Sequence, residues 1–486
     1  MLHTKAYPPK IDTRSNTIII ELFSGLVEQR LDLGVVPDMA QSWEILDGGK
    51  KYLFHLREDL LWSDGKPVTA GDFEYAWKRV LNPTNGMPLA SLLDDIKGAR
   101  TFRQGKVADP DSVGVKALDD VTLVVELERP TGYFLHLLAN TLTFPVPRHV
   151  VERLGEAWVE PENIVTCGPF RLAAWKQGEE MTLIRNPLYP GLFQGNLECV
   201  ELLLRDLEPA DSLEMYEEDQ LDVVDVTTFE GDRLRQKYAG EYRHLSQFVT
   251  QYLQFDVSRP PFDDVRVRRA FALVVNRETL VKTTRPSGFP ATGGFVPPGM
   301  PGHLPEIGLS PDMEQAHQLL AEAGFPNGQG FPSVEFVTRT DQADLGEYLQ
   351  TRWMENLGVK IECEAVEWEV ILGRLGEQVP HLLIMGWAAD YPDPDDFLRA
   401  RIDHIQQQSG WRNAGYDSLV MQAQHSLDQG ERLKLYEEAE RILVEEAPIV
   451  PIFHMSVRLL VKPWVTRFPA TGLRKWYFKD VIIKTL

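Results

Sequence analysis

The sequence predicts an α/β protein of two or three domains, and three observations carry that expectation. From about residue 249 onward, stretches with helical spacing alternate with short apolar strands. Before that point the chain is rich in strand and turn signals. Finally, 486 residues, 43% apolar and 25% charged, suffice for more than one sizeable core.

Residues 18 to 32 form an apolar-rich segment that reads as helical. Ser42-Trp43-Glu44-Ile45-Leu46, a turn at Asp47-Gly48-Gly49 and Tyr52-Leu53-Phe54-His55-Leu56 make a hairpin signature, and Trp62-Ser63-Asp64-Gly65 marks another turn. Thr69 is an N-cap with Asp72 three residues on. Phe73, Trp77 and Val80 share one face of the helix that follows, and Asn82-Pro83 stops it. Further strands are expected at 121–127, 165–175 and 180–185. Beyond 249, helices are expected near 264–284, 311–323, 341–357 and 429–446, with strands at 333–338, 359–364, 381–388 and 449–453 and a β-rich tail.

Fifty basic against seventy-two acidic residues give a net charge of −22, which argues against nucleic acid and against an anionic membrane surface. Cys167, Cys199 and Cys363 are too few for a disulfide framework and lack metal-site spacing, so free buried thiols are expected, with a single disulfide as the alternative. No run approaches the roughly eighteen apolar residues of a membrane span. The start, Met1-Leu2-His3-Thr4-Lys5, has no basic region followed by an apolar one. No GxSxG, HExxH or phosphate-loop pattern occurs and the eleven histidines are scattered, so catalysis is not expected. No cofactor or metal is expected either.

The most telling position is Asp390. It follows the apolar run Leu382-Leu383-Ile384-Met385-Gly386-Trp387-Ala388-Ala389, a buried-strand pattern, and precedes a Pro-rich turn. The flanking cations, Arg374 and Arg399, are not local. A carboxylate there needs a cation or several donors, so its partner is distant in sequence or comes from outside the chain. The plain alternative is that Asp390 caps a turn. The run Asp393-Pro394-Asp395-Asp396 lacks an EF-hand's spacing and glycine and reads as a solvated loop.

Several ordered motifs then resemble one family. Leu22-Phe23-Ser24-Gly25-Leu26, Pro37-Asp38-Met39-Ala40-Gln41-Ser42-Trp43-Glu44, Phe54-His55-Leu56-Arg57, Trp62-Ser63-Asp64-Gly65-Lys66-Pro67-Val68-Thr69-Ala70 and Trp77-Lys78-Arg79 come first. Gly168-Pro169-Phe170 to Trp175 with Arg185-Asn186-Pro187 is next. Pro260-Pro261-Phe262-Asp263-Asp264-Val265-Arg266-Val267-Arg268 and the stretch from Ile449-Val450-Pro451 to Val461-Lys462-Pro463-Trp464 complete the series. Together they resemble family 5 extracellular solute-binding proteins, the ligand-capturing subunits of peptide-importing ABC transporters. Gly386-Trp387 with Ala389-Asp390-Tyr391 resembles the oligopeptide-binding branch.

The resemblance implies an α/β, two-lobed, periplasmic-binding-protein-like fold with an additional inserted domain. Lobe one would take 1–24, 165–248 and 453–486; the inserted domain 25–164; and lobe two 249–452, with hinge strands near 165, 249 and 453. It implies an extracytoplasmic monomer, periplasmic or a cell-surface lipoprotein, whose signal sequence would lie upstream of Met1, and ABC permease subunits as partners. A binder of many peptides must hold their backbone, so the strand 381–388 would offer an edge for β-augmentation, with Gly386 and Ala388 allowing close approach. Asp390 would anchor the peptide ammonium. Trp387 would line the cleft or belong to the core, and Tyr252 is a further lining candidate that also reads as structural.

The chain departs from the branch in three places. Ile384-Met385 stands where an arginine for the ligand's carboxylate is common, and Arg374 is the candidate substitute. Ala388 replaces a disulfide cysteine, and Leu89 an aromatic. The alternatives are a ligand-sensing domain of a cytoplasmic regulator, or a binder of a non-peptide solute.

Overall fold

The computed structural model describes residues 3–7, 13–87, 89–229, 231–285 and 288–484. Its spine is one ten-stranded sheet. Across it, in order, lie Cys363–Val366, Phe336–Arg339, Leu382–Ala388, Tyr242–Phe255, Ile449–Val461, Val223–Asp225, His3–Tyr7, Cys199–Leu203, Glu180–Arg185 and Phe170–Lys176. The first three strands are mutually parallel, as are Val223–Asp225, His3–Tyr7 and Cys199–Leu203. Parallel neighbours need crossovers, and helices such as Ala343–Leu357 supply them, burying Leu345, Leu349, Trp353 and Leu357 on one face.

Two long antiparallel strands, Tyr242–Phe255 and Ile449–Val461, join the halves of this sheet. Their ladder is interrupted between Ser246 and Thr250 and again between Gln251 and Tyr252. Before the interruption Tyr242–Phe255 pairs only with Ile449–Val461; from Val249 it also pairs with Leu382–Ala388. The bulged segment therefore marks where one strand passes from the first half of the sheet to the second.

A separate four-stranded antiparallel sheet runs Ala40–Leu46, Lys51–Leu56, Thr122–Glu126, Val115–Asp119. The first two strands are the expected hairpin. Against this sheet packs the helix Ala70–Leu81, started by a capping box in which the Thr69 and Asp72 side chains each serve the other's backbone. Phe73, Trp77 and Val80 are buried as their spacing predicts, and Trp77 Nε1 donates to the carbonyl of Thr143 at 2.7 Å.

Three local expectations need correction. The helix expected over 18–32 is Thr13–Leu22, after which Val27–Gln29 and Val35–Pro37 form a short hairpin. Gly25 lets the connecting segment pack closely: a Cβ at this residue would sit 2.6 Å from the Phe144 ring. The helix expected over 264–284 is two, Val265–Leu273 and Arg277–Thr284, because the Asn276 side chain accepts from Thr279 N and caps a new start. And the strand Leu382–Ala388 is not an edge strand; it lies between Phe336–Arg339 and Tyr242–Phe255.

Candidate functional site

Although interior, Leu382–Ala388 has an open flank. Phe336–Arg339 pairs only with Leu382 and Leu383, so among the described residues no strand covers the outer side of residues 384–388. The other side is paired in full with Val249–Phe255. Gly386 packs against the Gln251 side chain: a Cβ would fall 2.5 Å from its amide nitrogen, which would have to move. Ala388 pairs with Val249 and is half-buried.

Asp390 sits at the end of this strand, half-buried. Its backbone is held from two sides. Its N–H donates to Asp396 Oδ2 at 3.3 Å, and its carbonyl accepts from Asn140 Nδ2 at 2.9 Å. Burial pushes its carboxyl up to about 6, against the pull of Arg474 and Lys475. The distant partners sought from the sequence are thus partly within the chain, in its last twenty residues. They do not restore the ordinary carboxylate value, so the site still favours a further cation.

Lys475 is 6% exposed. Its Nζ donates to the carbonyl of Ala139 at 2.8 Å. Burial pulls its ammonium down to about 8, while Glu28 and Asp390 oppose that shift. Successive residues 139 and 140 therefore tie down the lysine and the Asp390 backbone. A small cavity is lined by Lys475, Ala139, Glu28, Asp38 and Tyr189, among others. It shares Glu28, Gln29, Asp38, Tyr477 and Lys479 with a larger one of about 560 Å³.

Trp387 is half-buried, its Nε1 donating to Asp396 Oδ2 at 2.8 Å and its ring 5.2 Å from the Arg401 guanidinium. Tyr252 is fully buried in the core, edge-on to Phe295, with its hydroxyl accepting from Arg401 Nε at 2.6 Å. Arg374 is committed elsewhere, to Glu335 and Glu364 at 2.8 Å each.

The acidic run 393–396 is not a solvated loop. Asp393, Asp395 and Asp396 are all buried. Asp393 pairs with Arg432, which is itself fully buried. Asp395 accepts from Arg399 Nε and from the hydroxyls of Tyr391 and Tyr436. Asp396 binds Trp387 and the Asp390 N–H, and burial beside Asp390 raises it well above the usual carboxylate range. Partners supplied from 432 and 436 turn an apparent surface motif into a core.

The same network reaches residues 95 and 133. The Tyr133 and Tyr391 rings stack at 5.1 Å; Tyr133 donates to Asp95 at 2.6 Å and accepts from Arg399 at 2.8 Å. Asn140, Lys475, Arg474 and Glu28 were not singled out from sequence. One signal was available: a lysine inside the aromatic tail Lys475-Trp476-Tyr477-Phe478 is placed among buried rings.

The three cysteines are free thiols. Among the described residues no helix is long and apolar enough to cross a membrane.

Comparison with known proteins bears on this arrangement. The chain is 34% identical over 491 residues to the probable deoxycholate-binding periplasmic protein YgiS of Escherichia coli, covering 98% of this chain and 91% of the relative. It is 33% identical to the periplasmic oligopeptide-binding protein OppA of Escherichia coli, covering 94% and 86%. The solved structure of OppA from Burkholderia pseudomallei superposes with a TM-score of 0.83 at 29% identity, covering 100% of this chain and 99% of that one. This likeness carries the two-lobed binding-protein fold. Residues 34–404 match the family described as bacterial extracellular solute-binding proteins, family 5 Middle, whose members are non-enzymatic transport components; the chain belongs to that family.

Proposed function

We propose that the protein captures peptides outside the cytoplasm and delivers them to the membrane subunits of an ABC importer. It would act as a monomer, with Asp390 anchoring the ligand's ammonium. The single observation that supports this reading best is Asp390 itself, a carboxyl raised to about 6 at the end of a strand with an open flank. A peptide offers both what the flank lacks, a partner strand, and what the carboxylate lacks, a cation. The oligopeptide-binding names among the relatives point the same way.

The division into lobe one (1–24, 165–248, 453–486), inserted domain (25–164) and lobe two (249–452) belongs to the same reading. The interrupted ladder at Ser246–Thr250 is then the hinge, since it is where the shared strands change partners.

Native mass spectrometry of the purified protein tests the ligand class through co-purified peptides. Calorimetry with free and N-acetylated tripeptides tests the anchor. Removing one partner of such a pair costs on the order of 3–5 kcal/mol, about two to three and a half decades in affinity. Equal binding of both forms would reject the role of Asp390.

A second reading, an anionic non-peptide solute, is favoured by the cations Arg474 and Lys475 beside the site and by the name of the Escherichia coli relative YgiS. Deoxycholate carries a carboxylate and no ammonium. Binding of deoxycholate that survives Asp390→Asn, with no peptide binding, would select it.

A further inference from the structure

We infer that the side-chain amides of Gln251 and Gln342 form a receptor for one peptide group of the ligand, set at the open flank of Leu382–Ala388. The inference rests on the peptide reading above and deepens it.

Placement comes first. The strand Phe336–Arg339 stops pairing after Val337 and Leu383, which leaves the flank of 384–388 without a partner strand among the described residues. The chain then turns through Thr340–Gln342 into the helix Ala343–Leu357. Gln251 lies on the other side of Gly386, paired with it in the neighbouring strand. Yet Gln342 Nε2 donates to Gln251 Oε1 at 3.1 Å. The contact joins residues from the two sides of Leu382–Ala388, so it crosses that strand and its flank. Gly386 marks the crossing: a Cβ there would fall between 2.5 and 3.1 Å from Nε2, Cδ and Oε1 of Gln251.

Second, both amides keep unused capacity. Each has two donors and an acceptor with two lone pairs. Gln342 Oε1 is shut off from water and has no partner among the described residues. Gln251 is 8% exposed, and its Nε2 reaches only the Met455 sulfur at 3.6 Å, a weak acceptor. Thr338 Oγ1, just past the last paired residue, is a further buried oxygen without a partner. Such orphans are rare in native proteins, and their desolvation is uncompensated in the free chain. Here they gather where the ladder stops. Exchanging oxygen and nitrogen in both amides gives the same result, one free acceptor and one free donor.

Third, complementarity selects the occupant. A peptide group offers one N–H and one C=O, and a ligand strand added at the flank brings such a group to the pair. Its N–H donates to Gln342 Oε1 and its C=O accepts from Gln251 Nε2. Binding includes a turn of the half-buried Gln342 side chain, which brings its oxygen to the ligand. A carboxylate has only acceptors and leaves the orphaned oxygen unserved.

The test is calorimetry at pH 7 with tetra-alanine and its three ester analogues, each with one peptide bond replaced by an ester, which has no N–H. One analogue should bind wild type about three- to tenfold more weakly than tetra-alanine, the scale of one net hydrogen bond. Gln342→Met, which has no amide, should bind that analogue and tetra-alanine alike. Ester penalties that are the same in wild type and Gln342→Met, or equal affinity of the two proteins for tetra-alanine, would overturn the inference alone. A wild type that binds neither tetra-alanine nor its analogues rejects the peptide reading itself, and the inference falls with it. If Gln342→Met does not fold, as judged by thermal melting, Gln342→Ala decides on the same terms.

Discussion

Asn140 donates its Nδ2 to the backbone carbonyl of Asp390 at 2.9 Å, a hydrogen bond across 250 positions of sequence. The same asparagine caps the turn Thr141–Thr143 through its Oδ1, which accepts from Leu142 N. One side chain thus fixes its own turn and ties it to the strand end that carries Asp390.

Replacing Asn140 by Ser separates the two tasks. Serine still caps, but it is too short to reach the Asp390 carbonyl. Asn140→Ser should weaken peptide binding roughly three- to tenfold, the value of one net hydrogen bond, with little change in melting temperature. Asn140→Ala should lose the cap as well and melt lower. Calorimetry and thermal melting of the two variants check this, and equal peptide affinity in wild type and Asn140→Ser would sink it.

Peptide affinity should depend on pH with a defined shape. The Asp390 carboxyl is raised to about 6 in the free protein, and a ligand ammonium favours the ionised form. Below about pH 6 a proton must leave before the ligand binds, so affinity should fall about tenfold per pH unit. Between about 6 and 8 it should be flat. Above that the peptide's own amine, near 8, loses its charge and affinity falls again. Asp390→Asn should lose the acidic limb only, as measured by calorimetry from pH 4.5 to 9.

What could be read from the sequence follows the range of the interactions. The Thr69–Asp72 capping box, the strand Glu180–Arg185 and the helix Gln429–Glu446 depend on neighbours within a few residues, and they form as read. Asp390 stood out for the same reason: its strand and its turn are local. Its electrostatic partners are not. Lys475 and Arg474 lie more than eighty positions away, and nothing near them in the chain indicates which carboxylate they meet. The acidic run 393–396 misled in the same way, because its charge partner Arg432 and the Tyr436 hydroxyl arrive on another helix. Tyr252 has strand periodicity that both a cleft wall and a core would share, and packing against Phe295 and Arg401 places it in the core.

Arg432 and Asp393 form a pair with both members almost fully buried. Arg432 also lies 5.1 Å from the Tyr436 ring and 5.6 Å from that of Tyr133. Arg432→Met leaves Asp393 charged and unpaired, and Asp393→Ala does the same to the arginine. Each should destabilise by about 3–5 kcal/mol. The double variant should cost less than the sum, because no charge is then stranded. Urea denaturation of the three variants measures this, and additive losses would show that the two residues act independently.

Glu21 offers a test of burial without a ligand. It is 1% exposed; its Oε1 accepts from Phe478 N at 2.7 Å, and Oε2 has no partner among the described residues. Burial raises its carboxyl to about 8, from 4.5. The sign follows from proton counting. Between pH 4.5 and 8 the folded chain holds a proton that the unfolded chain has released, so this group's contribution to stability is full below about 4.5 and is lost as pH rises through 8. Gln keeps the acceptor for Phe478 and cannot ionise. Glu21→Gln should therefore match the wild type near pH 4.5 and exceed it by a few kcal/mol near pH 9, and denaturant titrations at the two pH values measure the difference. A variant equally stable relative to wild type at both pH values would show that Glu21 is ionised when folded, and that Lys479 and the Phe478 N–H outweigh its burial.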